Sequence, residues 1–131
     1  MKRALEFLKE CRTFYVATVE GDQPRVRPFG AVCEYQGRLY IVTNNQKAVF
    51  KQILANPKIE ICGVAPDRRW IRIAAEAVVD PDREAKAEML RVNPVLNTMY
   101  SLDDGICEVL YLKNATATIY SFTAAPETFT F

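Results

Sequence analysis

The chain has 131 residues, half of them hydrophobic and a quarter charged, with a formal net charge of +1. This composition fits one domain over 1–131 with a buried core and excludes a disordered chain. It also gives no overall field for nucleic acid or an anionic membrane, so any anion must be held by a local cluster.

There is no histidine, which removes Ser-His-Asp and Cys-His nucleophile arrangements and histidine metal ligands; if the chain is an enzyme, a cofactor carries the chemistry. Cys11, Cys33, Cys62 and Cys107 are scattered without Cys-x-x-Cys spacing and read as buried thiols in a reducing compartment. No apolar run reaches the length of a signal peptide or a membrane span, so the expected location is the cytoplasm.

In chain order, Ala4, Leu5, Phe7, Leu8 and Cys11 form one apolar stripe of a packing helix ending near Arg12. Thr13 to Glu20 reads as a strand, Gly21-Asp22 as a turn, and Pro24 onward as a second strand, together a hairpin. Pro28 cannot donate a ladder hydrogen bond, so it marks either a bulge or a ligand-facing edge. Arg25 and Arg27 alternate along that strand and share one face. The chain resumes as a strand from Gly30 to Tyr35, turns at Gln36-Gly37, and returns through Arg38 to Thr43, where the run Leu39 to Val42 is expected to be buried on both faces.

Asn44 or Asn45 is placed to cap a helix that buries Val49, Phe50, Ile53 and Leu54 and stops at Pro57. Lys47 falls in its first turn, where a cation opposes the helix dipole unless an anion is bound; it is either that anion's partner or a solvated surface lysine. Lys51 shares its side of the helix. Cations on a strand facing a helix start suggest a bound phosphate.

Lys58 to Val64 forms a further strand. After the polar loop Ala65 to Arg68, Arg69 to Val79 alternates so that Trp70 and Arg72 lie side by side, as a subunit contact or a ligand platform. Asp80-Pro81 reads as an N-cap with proline at the first helical position, opening a helix to about Val92. Val95 to Tyr100 is a further helical turn, and Asp103-Asp104-Gly105 is a loop. Ile106 to Lys113 and Ala115 to Phe122 read as a last hairpin through Lys113-Asn114, followed by a tail with Phe129 and Phe131. The count is about seven strands and three short helices, a mainly β domain forming a small antiparallel β-barrel with peripheral helices.

Pro-Arg-Val-Arg-Pro-Phe-Gly, Tyr-Ile-Val-Thr-Asn, the Lys47 to Pro57 segment and Trp-Ile-Arg-Ile-Ala-Ala-Glu-Ala, in this order and spacing, resemble the pyridoxamine 5'-phosphate oxidase-like family of split-barrel flavin-binding proteins. The resemblance spans Phe14 to Phe122. It implies FMN, or less commonly a deazaflavin, bound at a homodimer interface. Arg25, Val26, Arg27, Pro28 and Phe29 would run along the isoalloxazine edge, with Val42, Thr43 and Asn44 beside the ring and ribityl chain. Lys47, Arg25 and Lys51 would hold the phosphate, and Trp70 and Arg72 would reach the cofactor, often from the neighbouring subunit. Arg27 is the candidate for tuning the flavin.

The C-terminal arginine and tryptophan motif of the true oxidase is absent, so pyridoxamine phosphate oxidation is not implied. The histidines used by nitroimidazole-reductase-like and haem-degrading relatives are absent as well. The expectation is therefore an FMN-dependent oxidoreductase with a small-molecule electron donor or acceptor. The alternative is a non-catalytic flavin-binding or electron-carrier protein. A single-stranded nucleic-acid surface built from Arg25, Arg27, Trp70 and Arg72 is disfavoured by the near-neutral charge, and neither nucleic acid nor membrane is expected as a partner.

Overall fold

Gly21 (φ 64°) and the pair Gln36-Gly37 (φ 50° and 76°) occupy the left-handed region. Turns of this hand match the twist of the strands they join. They close two hairpins, β1 (Phe14–Glu20) with β2 (Gln23–Phe29) and β3 (Val32–Tyr35) with β4 (Arg38–Asn44). The computed structural model describes residues 1–131. The remaining strands are β5 (Lys58–Val64), β6 (Trp70–Asp80), β7 (Cys107–Tyr120) and β8 (Glu127–Thr130). The helices are α1 (Lys2–Cys11), α2 (Ala48–Ala55) and α3 (Arg83–Val92), with a 3-10 helix over Pro94–Thr98.

All strand pairings are antiparallel, in the order β2-β1-β5-β6-β7-β4-β3, with β8 added to β7. The two end strands, β2 and β3, follow each other in the chain through Gly30-Ala31 but do not pair, so the barrel is split between them. No helix is long and apolar enough to cross a membrane.

Pro28 is therefore on an edge. The β1–β2 register runs without a shift from Phe14↔Phe29 to Glu20↔Gln23, which rules out a bulge at Pro28.

Two expected features change. The expected last hairpin is the single strand β7, and the tail forms β8, giving eight strands where about seven were expected. Residues on both sides of Asn114 pair with the same strand, as Lys113↔Glu76 and Thr116↔Ala74. Asn114 at φ 53° absorbs the extra residue as a bulge and donates to Glu76 Oε2 at 2.8 Å. Asparagine tolerates this backbone region, so the signal that reads as a turn is a bulge. At α3 the cap is Asp82, which accepts the N–H of Glu84, while Asp80 accepts the N–H of Asp82 one turn earlier. Pro81 thus precedes the helix instead of opening it.

The barrel interior holds one core, built on Phe14, Val16, Ile41, Ile61, Ile71, Ile73, Leu110 and the apolar side of α1. Leu39 to Thr43 are all buried, as the apolar run implied. A second, smaller core joins β3, β4 and β7 to α3 and the 3-10 helix through Cys33, Tyr40, Val42, Met89 and Leu96. It fixes where the segment after α3 lies. Tyr40 anchors the same region, its hydroxyl donating to Asp80 Oδ2 at 2.6 Å.

Candidate functional site

α2 packs on β1 and β4, close to the split in the barrel. Its buried side is Val49, Phe50, Gln52 and Ile53, whereas Leu54 is 62% exposed. The exchange of Leu54 for Gln52 follows from a polar cluster. Arg27 donates to the Val16 carbonyl at 3.1 Å and to Thr18 Oγ1 at 2.7 Å through one terminal nitrogen, and to Gln52 Oε1 at 2.7 Å through the other. Thr18 donates its own proton to Gln52 Oε1, and the Gln52 amide nitrogen reaches Glu20 Oε2 at 3.2 Å. Glu20 also accepts from Arg25 at 3.0 Å.

Every buried side-chain polar atom is satisfied, which is the condition under which a polar cluster this deep is tolerated. Burial, and then the like charge of Arg25, pull the Arg27 guanidinium below its ordinary value. The hydrogen bonds from Arg25 and Gln52 hold the Glu20 carboxyl below its ordinary value.

The asparagines expected to cap α2 are used elsewhere. Asn44 Oδ1 accepts the Gln46 N–H at 3.0 Å, and Asn45 Nδ2 donates to the Gly105 carbonyl at 2.8 Å. The cap position falls to Lys47, whose backbone is extended and whose side chain makes no capping bond. The N-terminus of α2 is left without a side-chain acceptor for its free N–H groups.

This end of α2 opens on a groove of about 270 Å³. Of the residues expected at the site, Arg27, Pro28, Phe29, Val42, Thr43 and Lys47 line it. Lys47 forms no ion pair there, although the chain has seven others. Val95, Leu96, Met99 and Tyr100 make the opposite wall, with Gly30, Ala31 and Val49 completing it. The wall residues 95–100 have apolar character in the sequence but no period that assigns them a face. Only the folded chain marks them out, because Val95 and Met99 remain 69% and 60% exposed although apolar.

The other expected residues lie outside the groove. Arg25 is paired with Glu20, and Lys51 lines a separate depression with Glu20 and Gln52. Asn44 does not line the groove, and its amide donates to the hydroxyl of Tyr100, which does, at 3.1 Å. Val26, Trp70 and Arg72 are on the other face of the sheet. The ladder sets Tyr15 opposite Pro28 and Cys62, Cys62 opposite Arg72, and Val64 opposite Trp70, so all of these share the face away from Arg25 and Arg27. Trp70 stacks on Tyr120 at 5.4 Å, and Arg72 pairs with Glu60 at 3.0 Å.

The groove contains no thiol. Cys33 and Cys107 are buried and Cys11 and Cys62 only partly so, and all four are free. Burial pushes the Cys33 thiol up to about 12 and those of Cys11 and Cys107 up to about 11.

The cluster around Gln52 yields a stability test. Gln52→Leu leaves the Thr18 hydroxyl and one arm of Arg27 without an acceptor and is expected to cost about 2–3 kcal/mol in urea unfolding. Leu54→Gln, which restores the polarity pattern on the exposed side, is expected to stay within about 0.5 kcal/mol of the unaltered protein. Equal effects would contradict the cluster's role.

A family model described as pyridoxamine 5'-phosphate oxidase matches residues 1–101. No curated protein matches this chain. A solved structure of a NimC/NimA family protein from Clostridium acetobutylicum is 57% identical, covers 100% of this chain and 92% of that chain, and has a TM-score of 0.98. General Stress Protein 26 from Bacillus anthracis is 20% identical over 99% of this chain and 97% of its own, with a TM-score of 0.80. A pyridoxamine 5'-phosphate oxidase-related, FMN binding protein from Nostoc punctiforme is 15% identical over 99% and 93%, with a TM-score of 0.61. These last two are likenesses of fold. With the family model spanning most of the sequence and a split barrel beneath it, the chain belongs to the pyridoxamine 5'-phosphate oxidase family.

Proposed function

We propose that this chain binds FMN in the groove beside α2 and acts, as a homodimer, as an FMN-dependent oxidoreductase. The observation that carries the reading is Lys47. An unpaired ammonium at an uncapped helix N-terminus, on the rim of a largely apolar groove, is a arrangement that an anion completes.

The donor set suits a flavin phosphate at one end and a flat ring along the other. Lys47 and the free N–H groups of α2 would hold the phosphate, with the Arg27 charge behind them. Pro28, Phe29 and the small residues Gly30 and Ala31 leave a strand edge open for a ring, and Val42 and Thr43 form its floor. The Nostoc punctiforme relative is described as FMN binding, which supports the same ligand here.

When bound, the flavin would supply hydride or single-electron transfer without needing a protein acid or base. The chain's own residues would bind and orient it, and the apolar wall of Val95, Leu96 and Met99 would keep water from one side. Arg27 would act on it mainly as a fixed charge, because its guanidinium already makes three hydrogen bonds to the protein. Expected partners are a small-molecule electron donor and acceptor, in the cytoplasm.

The dimer is supported by the outer sheet face. Tyr15, Val26, Val64 and Phe122 are 48%, 67%, 58% and 83% exposed there, alongside Trp70. Apolar side chains in this density on one face mark an interface. The groove, slightly smaller than the roughly 300–1,000 Å³ typical of ligand sites, would be completed by a second copy, with Trp70 and Arg72 reaching it from the partner.

Purified protein is expected to show flavin absorption bands and to release FMN on denaturation. Lys47→Ala is expected to lower FMN affinity about 10–100-fold, the value of a charge-assisted contact to phosphate. Turnover of NADH or NADPH with an added acceptor, well above that of free FMN, would distinguish the enzyme from a carrier. A protein that cannot be reconstituted with FMN would end the proposal. By sedimentation, the unaltered chain is expected to run as a dimer at micromolar concentration and Val26→Glu as a monomer; a monomeric unaltered protein would remove the shared site.

A further inference from the structure

Thr18 Oγ1 and Gln52 Oε1 lie 2.5 Å apart and each accepts from one terminal nitrogen of Arg27 at 2.7 Å. Together they meet the guanidinium end-on, as the paired oxygens of a carboxylate do, but without a negative charge. Every proton in this ring of bonds is placed. Gln52 Nε2 donates to Glu20, so the amide oxygen faces Arg27, where it accepts from both Thr18 and Arg27. Thr18 gives its only proton to Gln52 and can therefore only accept from Arg27. The Val16 carbonyl takes the second proton of the same terminal nitrogen, Nη1.

A guanidinium carries five N–H groups in a fixed planar fork. Three are used here, and the two left over, Nε–H and one Nη2–H, lie side by side on the other edge. No buried polar side-chain atom of the chain lacks a partner, whereas Nε has none, so this edge is open. Arg27 lines the groove, and does not line the depression that holds Lys51 and Gln52. All three groups that accept from it are neutral, while the nearby carboxylate of Glu20 is taken by Arg25 and the Gln52 amide.

We propose that Gln52 and Thr18 are positioning residues for the anion end of the groove. By occupying the end-on edge of Arg27 with neutral acceptors, they hold its charge and its free side-on edge ready for a phosphate bound at Lys47. The proposal rests on the FMN reading. It gives Gln52, which is outside the groove lining, a share in the preference for a phosphorylated flavin.

The test is a double-mutant cycle on the flavin-free chain, read by fluorescence titration with FMN and with riboflavin. Gln52→Met keeps the side-chain length and removes the acceptor. It is expected to weaken FMN about tenfold, the value of a charge-assisted contact to phosphate, and riboflavin less than about twofold. Thr18→Val should give a smaller loss of the same kind, and Thr18→Ser, which keeps the hydroxyl, should restore FMN binding. In an Arg27→Met background, Gln52→Met should cost no further FMN affinity, because Arg27 is the group it acts through. The proposal is overturned if both flavins lose equally or if neither Gln52→Met nor Thr18→Val weakens FMN. It is also overturned if Gln52→Met costs as much without Arg27 as with it, which would route the effect through the placement of α2 and Lys47. Should Gln52→Met not fold, Thr18→Val in the two Arg27 backgrounds decides by the same criteria. An unaltered protein with no preference for FMN over riboflavin overturns the functional reading instead, and this inference with it.

Discussion

The hydrogen-bonded cluster of Arg27, Thr18 and Gln52 is the constraint on which the site depends. It ties the outermost strand β2, its neighbour β1 and helix α2 together beside the gap in the barrel. A partly buried guanidinium is costly unless its donors are met, and here they are met by groups from both other elements. The cluster therefore sets the angle of α2, and with it the position of Lys47 and of the uncapped helix end. It also explains why Arg25, two residues along, contributes less directly: its charge is spent on Glu20, which the cluster already holds.

The single sheet serves two purposes because strand residues alternate. Along β2, Arg25, Arg27 and Phe29 face the side of α2, while Val26 and Pro28 face outward with Tyr15 and Cys62. Arg27 and Phe29 of the inward set line the groove together with Pro28 at the strand's end, and the opposite face leaves apolar side chains such as Tyr15 and Val26 exposed. Trp70 and Arg72 follow the outward parity and are not among the residues that line the groove.

Much of the fold was legible because strand alternation and turn glycines are local signals. β1 through β5 follow from such patterns, as does the placing of Arg27 on a strand and Lys47 at the start of α2. The split barrel and the sharing of one site by Pro28, Phe29, Val42 and Thr43 were implied by the family resemblance and not by spacing. What was not legible depends on contacts between distant segments. Gln52 looks like a surface residue until Thr18 and Arg27 are placed against it. Asn114 carries a turn signal whether it ends a strand or bulges one, and only the common partner β6 decides. Asn44 is a good cap by type, yet its oxygen is taken by Gln46 and its amide by Tyr100. The wall of Val95 to Tyr100 has no periodic signature, since its place is set by the second core under α3.

The measurement that tests the central claim most directly is a comparison of FMN with riboflavin, which share the ring and differ in the phosphate, by fluorescence titration of the unaltered protein and Lys47→Ala. The account predicts a strong preference for FMN in the unaltered protein and its collapse in the variant, with riboflavin binding nearly unchanged. Equal affinity for the two flavins, or a preference that survives loss of Lys47, would contradict the assignment of the phosphate to the start of α2.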